Sequence, residues 1–157
     1  MTGLQLTSYT FPSGGEIPRK CGYKDENVSP SLNIHGIPDG TRTFALIMDD
    51  PDAMEPAGKI WVHWVLWNIN HDTTDLSESL DVQRAYRMDT IGFGMTDFGE
   101  VGYGGPAPPD KRHTYVFKLY ALDSKLVLTT ESTKADVEKA MEGHIIEQAT
   151  LEGTYAP

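Results

Sequence analysis

The chain has 157 residues and a formal net charge of −10, from 23 acidic and 13 basic side chains. At this length a single domain spanning residues 1–157 is the simplest organisation, with enough chain to bury a core. The acidic balance repels nucleic acid and anionic membrane surfaces, and Lys111-Arg112 is the only basic pair near a candidate site, so neither a nucleic-acid partner nor stable membrane docking is expected. No apolar run reaches the length of a membrane helix, and Met1–Leu6 lacks the basic-then-apolar pattern of a signal peptide, so the chain reads as cytoplasmic. Cys21 is the only cysteine, which excludes an intrachain disulfide and a thiolate metal cluster.

In chain order, Leu4–Phe11 alternates well enough for a first strand. Thr43–Met48 is a short continuous apolar run, as expected of a strand buried on both faces. Ile60–Ile69 is another, for which strict alternation places Trp61, His63, Val65 and Trp67 on one face and Ile60, Val62, Trp64 and Leu66 on the other. Asp72–Gly105 reads as a long irregular excursion, and excursions of that length are usually functional or disordered. Phe93, Met95 and Phe98 within it are candidates for a contact surface, with a return onto the core as the blander alternative. His113–Leu122 predicts a third strand, with His113, Tyr115, Phe117 and Leu119 on one face. Thr133 and Asp136 signal a helix start, and Val137, Met141, His144, Ile145 and Gln148 continue at helical spacing. Leu151–Ala156 then returns as a final strand, giving a mainly β domain with one C-terminal amphipathic helix.

Three segments carry the chemistry. Asp50-Pro51-Asp52 follows a buried strand, where a turn with solvated carboxylates is the bland alternative to a site. His63, between Trp61 and Trp64, is either a core histidine tied to a backbone carbonyl or the polar contact of a pocket wall. In Tyr103–Tyr115, Gly104-Gly105 permits close backbone approach, Pro106, Pro108 and Pro109 stiffen the loop, and His113 and Tyr115 point the same way from a strand. A rigid loop edging an ordinary hairpin explains the prolines but not the paired His and Tyr. A pocket built from Asp50, His63, His113 and Tyr115 satisfies all of these polar groups at once.

Asp-Pro-Asp-Ala at 50–53, Trp61-x-His63-Trp64 followed by Asn68-Ile69, and Tyr-Gly-Gly-Pro-x-Pro-Pro-x-x-x-His-x-Tyr at 103–115 together resemble the phosphatidylethanolamine-binding protein family, in its prokaryotic Raf-kinase-inhibitor-like branch. Glu26–Pro30, Asp97-Phe98-Gly99 and Lys139–Ile145 resemble further family motifs, so the likeness covers nearly the whole chain. The resemblance implies two antiparallel sheets with Greek-key connections and a small pocket for phosphate-like anions. It places Asp50, His63, His113 and Tyr115 in that pocket, with Trp61 and the loop of Gly105, Pro106, Pro108 and Pro109 as wall. Two positions depart from the family pattern: Met54 stands where proline usually follows Asp-Pro-Asp-Ala, and Thr114 replaces the arginine of His-Arg-Tyr. By strand alternation position 114 faces away from the pocket.

The expected function is binding of a small anion, a phosphomonoester or phospholipid head group, without chemistry or cofactor. In this reading His63, His113 and the Tyr115 hydroxyl donate, and Asp50 either fixes a histidine tautomer or accepts from a ligand oxygen that still carries its proton. Kinase- and protease-inhibitor members of the family suggest a protein target as a further partner. The alternative is a metal-dependent or acid–base hydrolase using Asp50, His63 and His113, for which the spacing gives little support. A homodimer is expected, against which a solution mass near 17.4 kDa would speak.

Overall fold

The computed structural model describes residues 3–80 and 91–157. Its strands are β1 (Gln5–Thr7), β2 (Leu32–His35), β3 (Thr43–Asp50), β4 (Trp61–Asn70), β5 (Asp75–Leu76), β6 (Gly92–Phe93), β7 (His113–Leu122) and β8 (Ile145–Tyr155). Its helices are α1 (Met54–Ala57) and α2 (Lys134–Met141). The strands form a three-stranded sheet, β1-β2-β5, and a five-stranded sheet, β6-β4-β3-β7-β8, with every strand pair antiparallel. This is the mainly β, two-sheet architecture that the sequence predicts. No helix of the described residues is long and apolar enough to cross a membrane.

The apolar residues sort into two cores separated by the larger sheet. Between the sheets, Leu4, Leu6, Leu32 and Ile34 meet Phe44, Leu46, Met48, Phe117 and Leu119. On the outer face, Ala45, Ile47, Val65, Trp67, Tyr120 and Leu122 are covered by Val137 and Met141 of α2. β3 is buried along its whole length, as a continuous apolar run predicts. Asp49 sits on its outer side and binds both Lys118 at 3.1 Å and Lys134 at 2.8 Å, which fastens the first turn of α2 to the sheet.

Three sequence expectations change. β1 is shorter than Leu4–Phe11, because the segment beyond Thr7 exchanges ladder bonds for side-chain ones: Tyr9 N donates to Ser31 Oγ and Ser31 N to Thr10 Oγ1. α2 begins as predicted, with Thr133 and Asp136 forming a reciprocal capping box. It ends at Met141 rather than running to Gln148, since Gly143 adopts φ +80° and Ile145 onward pairs with β7. β4 does not alternate strictly. Met48 faces Trp64 whereas Asp49 faces Val62, so His63 is the extra residue of a β-bulge. Trp64 and Leu66 therefore join the inner core while Val62, Val65 and Trp67 join the outer one. In the excursion, Phe93 is buried in the inner core and Phe98 stacks on Tyr23, so both tuck back. Residues 81–90 of that excursion lie outside the described residues.

Candidate functional site

The inner face of the large sheet carries the site at its end. Phe44, Leu46 and Met48 belong to the inner core, and alternation puts Asp50 on the same side. In β7, Phe117 and Leu119 do the same for His113 and Tyr115. The bulge in β4 turns His63 to that side as well. These four residues, distant in sequence, line one cavity of about 190 Å³. Trp61, Phe98, Pro108 and Pro109 supply apolar wall, and Ala53, Pro56 and Ala57 of the turn after β3 complete it together with Ala107.

Each polar group of the floor is held differently. Asp50 caps the 3-10 turn Pro51–Ala53, its Oδ1 accepting from Asp52 N at 2.9 Å. Its Oδ2 accepts from His113 Nδ1 at 2.6 Å. The other nitrogen of His113, Nε2, lies 2.7 Å from Asp110 Oδ1. Burial disfavours the charged ring, but the bonds and charges of Asp50 and Asp110 outweigh it and hold the His113 pKa above its ordinary value. Burial raises Asp50 against the opposing pull of His113.

His63 donates from Nδ1 to the Gly104 carbonyl at 2.6 Å, and Gly104 N returns a bond to the His63 carbonyl at 2.9 Å. Burial, opposed by backbone hydrogen bonding at Gly104 and Gly105, depresses its pKa to about 4, so the ring is neutral near pH 7. His63 is thus both tied to a carbonyl and placed on the cavity wall. One expectation reverses, however. With Nδ1–H spent on Gly104, Nε2 is a lone pair and His63 is an acceptor toward the cavity, not a donor. His113 likewise has both ring nitrogens within hydrogen-bond distance of carboxylates. The remaining donor is the Tyr115 hydroxyl, which is buried without a hydrogen-bond partner among the described residues. It lies beside Asp50 and Ala107, and burial first, then the charge of Asp50, raises its pKa.

The proline-glycine loop divides in two. Ala107, Pro108 and Pro109 face the cavity, whereas Gly105 and Pro106 stand behind the wall. Gly105 N donates to Asn27 Oδ1 at 2.8 Å, Tyr23 N donates to the Pro106 carbonyl at 2.9 Å, and the Tyr103 hydroxyl donates to the Cys21 carbonyl at 2.9 Å. A Cβ on Gly105 would stand 1.9 Å from the Cys21 carbonyl oxygen, so glycine is required there by contact rather than by φ. The early motif around Asn27 is thus the anchor of the loop. Cys21 itself is buried, and burial pushes its thiol up to about 11, which leaves it unreactive.

Sequence reasoning overlooked Phe98 as wall and Asp110 as a partner of His113. Phe98 stacks on Tyr23 with ring centroids 4.0 Å apart and meets His63 edge-on at 5.3 Å. Its place in the Asp97-Phe98-Gly99 motif was the available signal. Asp97 binds Lys59 at 2.6 Å and accepts from Val62 N at 2.7 Å, fixing this turn against β4. Met54 is exposed and Thr114 pairs with Thr154 across β7 and β8, away from the floor, so neither departure from the motif enters the cavity. Among the described residues no group of three or more His, Cys, Asp or Glu is arranged to hold a metal ion.

Comparison with known proteins agrees with this fold. The sequence model of the family described as phosphatidylethanolamine-binding protein matches residues 7–156. A UPF0098 protein of Methanothermobacter thermautotrophicus is 43% identical over 153 residues, covering 97% of this chain and 98% of the relative. The crystal structure of a phosphatidylethanolamine-binding protein homologue from Chlamydia trachomatis superposes with a TM-score of 0.89 at 34% identity, over 99% of this chain and 98% of that one. YbcL of E. coli, described as a member of the mammalian PEBP family, gives a TM-score of 0.88 at 33% identity over 97% of both chains. Matched along all but its ends and sharing its fold at full length with these relatives, the chain belongs to the phosphatidylethanolamine-binding protein family, a family of binding proteins rather than enzymes.

Proposed function

We propose that this protein binds a small phosphorylated ligand, a phosphomonoester or a phospholipid head group, in the cavity floored by Asp50, His63, His113 and Tyr115. The observation that carries this reading is the Tyr115 hydroxyl, a buried donor that lies beside Asp50 but makes no hydrogen bond of normal geometry among the described residues. An orphaned buried donor costs about 1–3 kcal/mol, which an incoming ligand oxygen relieves. Beside it stand two acceptors, His63 Nε2 and the Asp50 carboxylate. A ligand that complements this set must accept from Tyr115 and donate to its neighbours. A monoprotonated phosphate does both, and so does a phosphoryl head group bearing an amine. The cavity, at about 190 Å³, is smaller than the roughly 300–1,000 Å³ of drug-sized sites, which suits a head group without its acyl chains.

The protein's net charge of −10 gives an anion no long-range steering, so affinity depends on these local groups. No feature of the described residues selects a kinase or a protease as target, and the partner proposed is the ligand. The hydrolase alternative keeps a single group in play, since both His113 nitrogens are engaged by carboxylates and only His63 Nε2 retains a free lone pair toward the cavity. NMR titration of inorganic phosphate and phosphoethanolamine into the wild type and Tyr115→Phe tests the proposal. Shifts confined to the cavity residues, and weakened by the substitution, are expected. Equal saturation of both proteins would overturn it.

A further inference from the structure

Asp110 stands three residues before His113, on the loop that enters β7, and it does not line the cavity. Asp110, His113 and Asp50 nevertheless form one continuous line of hydrogen bonds. His113 Nε2 meets Asp110 Oδ1 at 2.7 Å and His113 Nδ1 meets Asp50 Oδ2 at 2.6 Å. The line runs from solvent to the pocket floor: the side chain of Asp110 is 35% exposed, that of His113 is 1% and that of Asp50 is 4%. A neutral imidazole has one N–H and one lone pair, and the lone pair would confront one of the two carboxylates at hydrogen-bond distance. Only the doubly protonated ring serves both.

We propose that Asp110 is a positioning residue that sets the charge of the binding pocket: by holding His113 from the outside it keeps the ring an imidazolium, which neutralises Asp50 and lets an anionic oxygen approach Tyr115. The inference rests on the phosphate-ligand reading above and adds the residue that makes it electrostatically workable. Without an imidazolium, the floor would present a bare buried carboxylate to a phosphate.

The other charged and titratable groups around His113 do not supply this function. Asp52, following β3, is a further acid, and its Oδ2 accepts from Thr114 N at 2.8 Å. Tyr115 lies along the same strand, with ring centroids 6.3 Å apart. Tyr155, opposite His113 on β8, is engaged by Asp25 and by the Arg19 guanidinium. Lys111 is paired with Glu55 and Arg112 with Glu16, so neither draws Asp110 away. Asp110 and Asp50 are the groups that bind the ring, and removal of the outer one leaves His113 free to lose its Nε2 proton. An asparagine at 110 can donate its amide N–H to the neutral ring as readily as it accepts from the charged one.

Asp110→Asn tests this, with Asp110→Glu as the rescue variant. Nitrogen-15 spectra of the imidazoles report the protonation of His113 directly. Loss of a carboxylate partner is expected to lower the His113 midpoint by about 1 pH unit or more, and Glu is expected to restore it. Inorganic phosphate is then titrated into each protein at pH 6 and pH 8. The ratio of wild-type to variant affinity at each pH cancels the titration of the ligand. For Asp110→Asn the ratio is expected to stay within about twofold at pH 6 and to reach about tenfold at pH 8, the factor that one pKa unit represents. An unchanged His113 midpoint overturns the inference, and so does a loss of affinity equal at both pH values, which marks a merely structural role. If the midpoint falls but the wild type does not bind phosphate, the charge-setting role of Asp110 stands and the ligand reading falls instead.

Discussion

His63 and Gly104 bind each other twice: the ring Nδ1 donates to the Gly104 carbonyl at 2.6 Å, and the Gly104 amide donates to the His63 carbonyl at 2.9 Å. This reciprocal pair of hydrogen bonds joins the bulge of β4 to the loop that walls the pocket. It fixes the tautomer of the ring and so decides that the cavity sees an acceptor.

The pairing predicts a specific acid sensitivity. His63 titrates at about 4 in the folded protein, against about 6.5 when unfolded. A depressed pKa means that the unfolded chain takes up the proton first as pH falls. The stabilisation is therefore complete above pH ~6.5 and is lost progressively as pH drops toward ~4, at about 1.4 kcal/mol per unit and about 3 kcal/mol in all. Urea denaturation of the wild type and His63→Gln at pH 7 and pH 4.5 measures it. The stability gap between them is expected to narrow by roughly 2–3 kcal/mol in acid, and a constant gap would show that His63 is not buried neutral.

Ligand choice follows from the same lone pair. Near neutral pH His63 Nε2 requires a donor, which monoprotonated phosphate provides and sulfate does not. An unsatisfied contact of this kind costs about 1–3 kcal/mol. Sulfate is expected to bind about tenfold or more weakly than phosphate at pH 6, with the difference shrinking at pH 8 as phosphate loses its proton. Calorimetry with both anions at both pH values decides it; equal binding at pH 6 would remove the ligand-proton argument.

Gly105 predicts a packing effect on the site from a residue that does not line it. A methyl group at this position would meet the Cys21 carbonyl oxygen at 1.9 Å, and backbone cannot move aside cheaply. Gly105→Ala is expected to cost about 1–3 kcal/mol of stability and to weaken phosphate binding by displacing the Ala107–Pro109 wall. Denaturation and titration on the same preparation would reveal a neutral substitution at once.

Asp49 separates stability from binding. Its carboxylate is buried with two lysines that are partly exposed, on the side of β3 opposite Asp50. Asp49→Ala leaves Lys118 and Lys134 able to reach water, so the expected cost lies near the lower end for a broken buried pair, about 3 kcal/mol. Phosphate affinity is expected to stay the same. A loss of affinity as large as that for Tyr115→Phe would mean that the two faces of β3 are coupled.

Local pattern and composition made part of this protein legible from its residues. The buried run of β3, the alternation of His113 and Tyr115 into β7, and the Thr133–Asp136 cap of α2 are each written in a few consecutive positions. Motif spacing identified Asp50, His63, His113 and Tyr115 as candidates for one place, and the fold brings them to one cavity. What each of them offers a ligand emerges only on folding. The bulge at His63 depends on the register between β3 and β4, and no alternation within β4 reveals it. The tautomer of His63 depends on the Gly104 carbonyl, and the charge of His113 on carboxylates from β3 and the loop before β7. The end of α2 has the same origin, because pairing with β7 outcompetes a helical pattern that otherwise continues past Gly143. A sequence displays donors and acceptors as residue types, but which proton sits on which nitrogen is set by the partners that folding brings within hydrogen-bond distance.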